Sequence, residues 1–290
     1  MATTTVATTE VRRAALGSER MRMLVVPREH GAWGMLATPL VGAAAVGLLR
    51  GGSAMPALVL ASLALTLFWM RTPLESWLGN GPMRAVTDAE RQLVARAVAG
   101  IGALAIALFT LLSLTSGMRE LAGLGVIVFA AFGVQAILKA QGRRWRMPAQ
   151  MIGALGLTAT APAAYFVVTG RMDRTALALW LANWMFAGDQ IHFVQLRIRG
   201  ARLAGWSAKR SHGAAFLVGQ AILLALVVWA CAVGFMPWLM VAAFVPVVIR
   251  GTMWFFEKPE PLAVRRLGWT EMVHSLAFTI LLVMAFQAGR

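Results

Sequence analysis

The sequence predicts an all-α, polytopic membrane protein, a bundle of nine transmembrane helices. Three observations predict it. Hydrophobic residues make up 59% of the chain and charged residues only 13%, with a mean hydropathy of +0.70; soluble domains run near a quarter charged. Nine apolar runs follow one another, at about 32–49, 54–70, 93–115, 121–138, 149–169, 175–196, 213–234, 236–256 and 268–287. Most are long enough, at about 1.5 Å per residue, to cross a hydrocarbon core of about 30 Å. Open strands cannot cross, because lipid leaves their backbone groups unpaired. Lys and Arg, finally, segregate. With the N-terminus in the cytoplasm, 22 of the 27 lie in inner segments, and only Arg50, Arg119, Arg171, Arg174 and Arg290 lie outside. That asymmetry is the positive-inside signal. It places the C-terminus outside. It also accounts for the formal charge of +15 as charge held against anionic lipid, which argues against a nucleic-acid partner.

Taken in order, residues 1–23 are polar and basic and lack the apolar core of a signal peptide. They read as a disordered cytoplasmic tail ahead of a single nine-helix domain, 24–290. The first helix opens on Pro27-Arg28-Glu29-His30-Gly31-Ala32-Trp33-Gly34. Charge, imidazole, indole and two glycines share one helix start, and the glycines allow close approach of a neighbour or a ligand. Trp33 alone suits an interfacial belt. Arg71 and Glu75 follow the second helix. Thr87 to Glu90 has the form of a capping box that starts the third. Gln135 and Lys139 end the fourth, with Arg143 and Arg144 beyond. The single cysteine, Cys231, lies in an apolar run, which excludes an internal disulfide.

The stretch Trp180–Arg199 carries the densest chemistry. Asp189, His192, Gln195 and Arg199 are spaced three, three and four, so a helix aligns them on one face. Ionisable groups inside a membrane helix are costly and face protein or a wet cavity. Glu271 and His274 repeat the carboxylate–imidazole spacing in the last helix, and His212 opens the seventh. All four histidines fall in the cytoplasmic half, as a cavity open to the cytoplasm needs; local pairing with the many inner arginines is the simpler reading. Carboxylate and imidazole three residues apart can supply two metal ligands from one helix face, although the bridging glutamates of di-iron bundles are not evident. Four histidines in one leaflet also leave bis-imidazole haem ligation open.

PREHGAWGMLATPLVGA at 27–43, RTPLE at 71–75 and FVQLRIR at 193–199 resemble the YwiC-like family of bacterial membrane proteins, over essentially the whole chain. More distantly, the chain is similar to UbiA-type intramembrane prenyltransferases. Pro39 and Gly42 fit that pattern in helix 1, the Pro-Leu of Arg71-Thr72-Pro73-Leu74 fits after helix 2, and Lys139 with Arg143-Arg144 fits at the end of helix 4. The second aspartate motif of those enzymes falls on Gly188, Asp189, His192 and Leu196, and only Asp189 matches it; no aspartate lies near Trp69 to Glu75.

The resemblance implies a UbiA-like fold and a central cavity facing the cytoplasm for a lipid or isoprenoid-type ligand. In those enzymes the aspartates hold Mg²⁺, which makes Mg²⁺ a candidate cofactor here, the cofactor being otherwise unknown; Asp189 and, by its spacing, His192 are the candidate metal ligands. Asp189, His192 and Glu75 are the candidate catalytic residues. Glu29, His30, Trp33, Arg71, Gln135, Lys139, Arg143, Gln195, Arg199, Glu271 and His274 are the candidate substrate-binding residues. With the aspartate motifs incomplete, prenyl or other group transfer stands beside non-catalytic binding or transport of a small molecule, and beside a haem or metal membrane protein.

Overall fold

The computed structural model describes residues 18–27, 30–79, 83–201, 203, 205–258 and 262–289. Among them all regular structure is helical, as lipid demands of a chain that must satisfy its own backbone. The helices are α1 (His30–Leu48), α2 (Ala54–Leu78), α3 (Asp88–Ser116), α4 (Met118–Ala140), α5 (Arg146–Thr158), α6 (Thr160–Thr169), α7 (Arg174–Gly200), α8 (Trp206–Ala232), α9 (Met240–Met253) and α10 (Val264–Ala288). Each of the nine apolar runs falls on this series. The run at 149–169 is divided at Ala159, because Pro162 has no N–H for the Thr158 carbonyl and its ring crowds that carbonyl.

Among the described residues, six helical stretches are long and apolar enough to cross a membrane, against the nine expected. They are α2, α3, α4, the α5–α6 pair, α8 and α10. Within α1 the apolar part Gly34–Leu48 is shorter, as is α9, and α7 is diluted by Asn183, Asp189, Gln190 and His192. The chain is a multi-pass membrane protein. Its lipid-facing side chains agree: Phe129 and Leu114 are about four-fifths exposed (82% and 81%).

The chain forms two compact units, residues 1–29 with 58–114 and residues 30–57 with 115–290. In the first, a short helical segment at 18–25 is tied down twice. Trp69 Nε1 donates to the Val25 carbonyl at 3.0 Å, and Arg20 pairs with Glu90 at 2.5 Å. The hydrogen bond to Glu90 and its negative charge raise the Arg20 pKa above its ordinary value. The expected capping box is present: Glu90 N–H donates to Thr87 Oγ1, and Glu90 Oε2 accepts from Thr87 N–H, each at 3.2 Å.

In the second unit, α7 is the central helix. It packs on α1, α5, α6, α8 and α9, while α1 packs on α6 and α10, and α10 on α9. Asp173 caps the N-terminus of α7, accepting from Thr175 N–H at 2.8 Å and Ala176 N–H at 3.2 Å. The α7 indoles are fixed on α5: Trp184 Nε1 donates to the Met151 carbonyl at 2.9 Å, and Trp180 Nε1 to the Leu155 carbonyl at 3.1 Å. Apolar burial supplies little drive between helices in lipid, so close packing has to. A methyl at Gly188 would displace the flexible end of Met151, and one at Gly251 would press on the Phe216 ring at 2.8 Å. At one end of this unit, Arg50 donates to Tyr165 Oη (2.9 Å), Thr175 Oγ1 (3.1 Å) and the Phe286 carbonyl (3.1 Å), holding α6, α7 and α10 together. Exposed tryptophans mark both ends, Trp229 and Trp238 at this one and Trp145, Trp206 and Trp269 at the other, as at the two faces of a bilayer.

Candidate functional site

The polar face of α7 divides. Asp189 turns to α8, α9 and α10, and His192, Gln195 and Arg199 turn to a cleft beside α8. The division follows from helical geometry: steps of three and four residues drift around the axis by tens of degrees, enough to send the first and later members to different neighbours.

Asp189 is the deeper part. Its side chain is 1% exposed. Oδ2 accepts from Arg250 Nη2 at 2.5 Å, and Oδ1 accepts from Gln220 Nε2. The other terminal nitrogen of Arg250, Nη1, donates to Glu271 Oε2. The guanidinium lies over the Phe193 ring, its carbon 4.1 Å from the centroid, a cation–π contact strengthened by desolvation. Gln190 extends the network, donating through Nε2 to Ser275 Oγ at 2.8 Å and to the Glu271 carbonyl at 3.3 Å. Four helices are therefore joined through buried polar groups. Three atoms of the network are buried without a partner: Arg250 Nε, Gln220 Oε1 and Glu271 Oε1.

The cleft lies between α5, α7 and α8, with a volume of about 120 Å³. His192, Gln195, Arg199 and His212 supply its polar lining, and Met147, Leu196, Ala215 and Phe216 supply its apolar wall. His192 is held edge-on to Phe216, with ring centroids 5.2 Å apart. Gly219 lets the imidazole approach: a methyl there would meet Nδ1 at 3.1 Å. Two imidazoles, a guanidinium and an amide suit an anionic or multiply hydrogen-bonding group, and the opposite wall suits hydrocarbon. Below the cleft the chain uses its basic groups internally. Lys209 Nζ donates to the carbonyls of Trp254 (2.9 Å) and Glu257 (2.6 Å), just past the C-terminal end of α9, and Arg197 pairs with Glu257.

Several of the remaining expected residues have other partners. Gln135 packs against Gly153 within the α4–α5 pair, and Lys139 and Arg143 are exposed at the turn between those helices. These three line neither the cleft nor the buried network. Glu75 and Arg71 pair with each other at 2.9 Å, one turn apart in the first unit. Glu271 turns to Arg250, and His274 Nδ1 bonds the Thr270 carbonyl at 2.7 Å. Glu29 lies outside the described residues, as do the side chains of His30 and Trp33.

For Mg²⁺, the donor set fits poorly. Both oxygens of Asp189 already accept hydrogen bonds from Arg250 and Gln220, and a guanidinium stands where a divalent cation would have to approach. Among the described residues, no three His, Cys, Asp or Glu side chains come together. Sequence reasoning missed Arg250, Gln220, Gln190 and Ser275. The available signal was Arg250 itself, the one charged residue within Met240–Met253.

Residues 26–165 match the family model of the YwiC-like proteins. The resemblance expected over essentially the whole chain is thus shown for that span, which contains PREHGAWGMLATPLVGA and RTPLE and ends before FVQLRIR. No curated protein and no solved structure matches the chain.

Proposed function

We propose that this YwiC-like, multi-pass protein binds an anionic lipid or isoprenoid-type ligand in the cleft between α5, α7 and α8. The single observation that carries the reading is the lining. His192, Gln195, Arg199 and His212 converge on one side, and Met147, Leu196 and Phe216 form the other. A volume of about 120 Å³ accommodates a headgroup; the hydrocarbon chain then lies out along the apolar wall toward the bilayer. Arg199 and the two imidazoles bind the anion, Gln195 orients it, and the aromatic wall excludes water.

The same reading takes the distribution of Lys and Arg as orientation. The protein sits in the bacterial inner membrane with nine crossings, in a UbiA-like arrangement. Its tail, 1–23, is in the cytoplasm, residues 24–290 work as one domain, and the C-terminus is outside. The cleft, at the Arg199 end of α7, then opens to the cytoplasm. Binding is favoured over group transfer because Asp189, the carboxylate nearest the cleft on α7, is engaged by Arg250 and Gln220.

The test is a comparison of ligands on the purified protein in nanodiscs. A prenyl phosphate is expected to bind at least about tenfold more tightly than the matching prenol, since hydrogen bonds to charged groups contribute about 1.5–3 kcal/mol. Arg199→Gln with His212→Gln should remove that preference. Equal binding of phosphate and alcohol would sink the assignment. Mg²⁺-dependent consumption of a prenyl diphosphate, lost in Asp189→Asn, would return the protein to the transferases.

A further inference from the structure

Asp189, Arg250 and Glu271 meet where α7, α9 and α10 converge, with side chains 1%, 6% and 13% exposed. There are two carboxylates and one guanidinium. With both acids ionised, a negative charge is left over in a buried place. A buried ion without a counter-ion is costly enough that a titratable group takes up a proton instead.

The two carboxylates are not equivalent. Asp189 receives a donor on each oxygen, Gln220 Nε2 on Oδ1 and Arg250 Nη2 on Oδ2. Glu271 receives Arg250 Nη1 on Oε2, and its Oε1 is buried with no partner. Donors to a carboxylate favour its charged form. Asp189 is therefore the counter-ion of Arg250, and Glu271 is the acid in excess. Gln190 and His274 are its other polar neighbours among the described residues. The facing group from α9 is Arg250. From α7 come Asp189 and the neutral Gln190, and from α8 the neutral Gln220. Residues 34–48 of α1 contain no titratable side chain. On α10 itself, His274 lies within electrostatic reach of Glu271, its Nδ1 on the Thr270 carbonyl, and it offsets the carboxylate only when protonated.

We propose that Glu271 is a membrane-embedded proton-binding site, carrying one exchangeable proton on Oε1 at neutral pH. In the loaded state the cluster is neutral, with Arg250 matched to Asp189. Release of the proton makes Glu271 a second claimant on the same guanidinium.

Infrared spectroscopy of the purified full chain, in a maltoside detergent free of ester carbonyls, tests this. The expected spectrum at neutral pH has a protonated-carboxyl C=O band. The band shifts when glutamate carboxyls are ¹³C-labelled, stays in place when aspartates are, and disappears in Glu271→Gln. It is also lost in Asp189→Asn, where Glu271 must become the counter-ion of Arg250. The proposal is overturned by the absence of a glutamate band, by a band that follows the aspartate label, or by one that survives Glu271→Gln or Asp189→Asn. Thermal stabilisation by Na⁺ but not by choline would assign the balancing charge to a metal cation and overturn it equally. If either variant fails to fold, the two isotope labels on the wild-type chain decide.

Discussion

A guanidinium that holds two carboxylates and lies on an aromatic ring cannot be removed without leaving charge behind. Arg250→Met is therefore expected to destabilise the protein by about 3–5 kcal/mol, the cost of stranding a buried ion. Adding Asp189→Asn should recover part of that loss, so that the double variant unfolds at a higher denaturant concentration than Arg250→Met alone. A double-mutant cycle in detergent checks this; additive losses would mean that the two side chains do not share an interaction. Asp189 was legible from the sequence as a costly group at depth, but its partner was not. Depth along one helix follows from counting residues, whereas the neighbour depends on which way each helix is turned. By position near a helix end, Arg250 is one of the 22 inner Lys and Arg residues and carries only an orientation signal. Its place four residues after Pro246, inside an apolar helix, was the better guide.

At the scale of elements, α7 and its contacts set the cleft. Phe216 serves both as cleft wall and as packing for α9: a methyl at Gly251 would lie 2.8 Å from its ring. Gly251→Ala is expected to cost about 1–3 kcal/mol through overpacking and to push Phe216 into the cleft, weakening ligand binding along with stability. A variant with unchanged melting and unchanged affinity would show that this contact is slack. At the other end of α7, Asp173→Ala removes the cap and should cost about 1 kcal/mol, with Asp173→Ser nearly neutral in the same unfolding assay. The apolar runs gave the helices because a membrane segment is written in composition over many residues. The Thr87–Glu90 box was read correctly because capping is local. The break at Ala159 was equally local, with Pro162 in plain sight, yet the unbroken hydropathy of 149–169 masked it.

For the whole molecule, the difference between nine apolar runs and six clearly lipid-compatible helices has a physical cause. In its middle and lower part α7 buries Asn183, Asp189 and Gln190, and a helix walled by protein can carry polar groups that a lipid-facing helix cannot. Hydropathy thus fades where the bundle is most interior. Nine crossings predict opposite sides for the two termini. A reporter active only outside the cytoplasm should work when fused after Arg290 and fail when fused before Met1; activity at both or neither would remove a crossing from the scheme. The Arg50 junction adds a practical consequence. Tyr165 is the only tyrosine in the chain, it is buried, and its hydroxyl is held by Arg50. A sample labelled solely at tyrosine would give one resonance, from the end of α7 remote from the cleft. A change in that resonance when ligand binds would report that the opposite mouth of the bundle has moved.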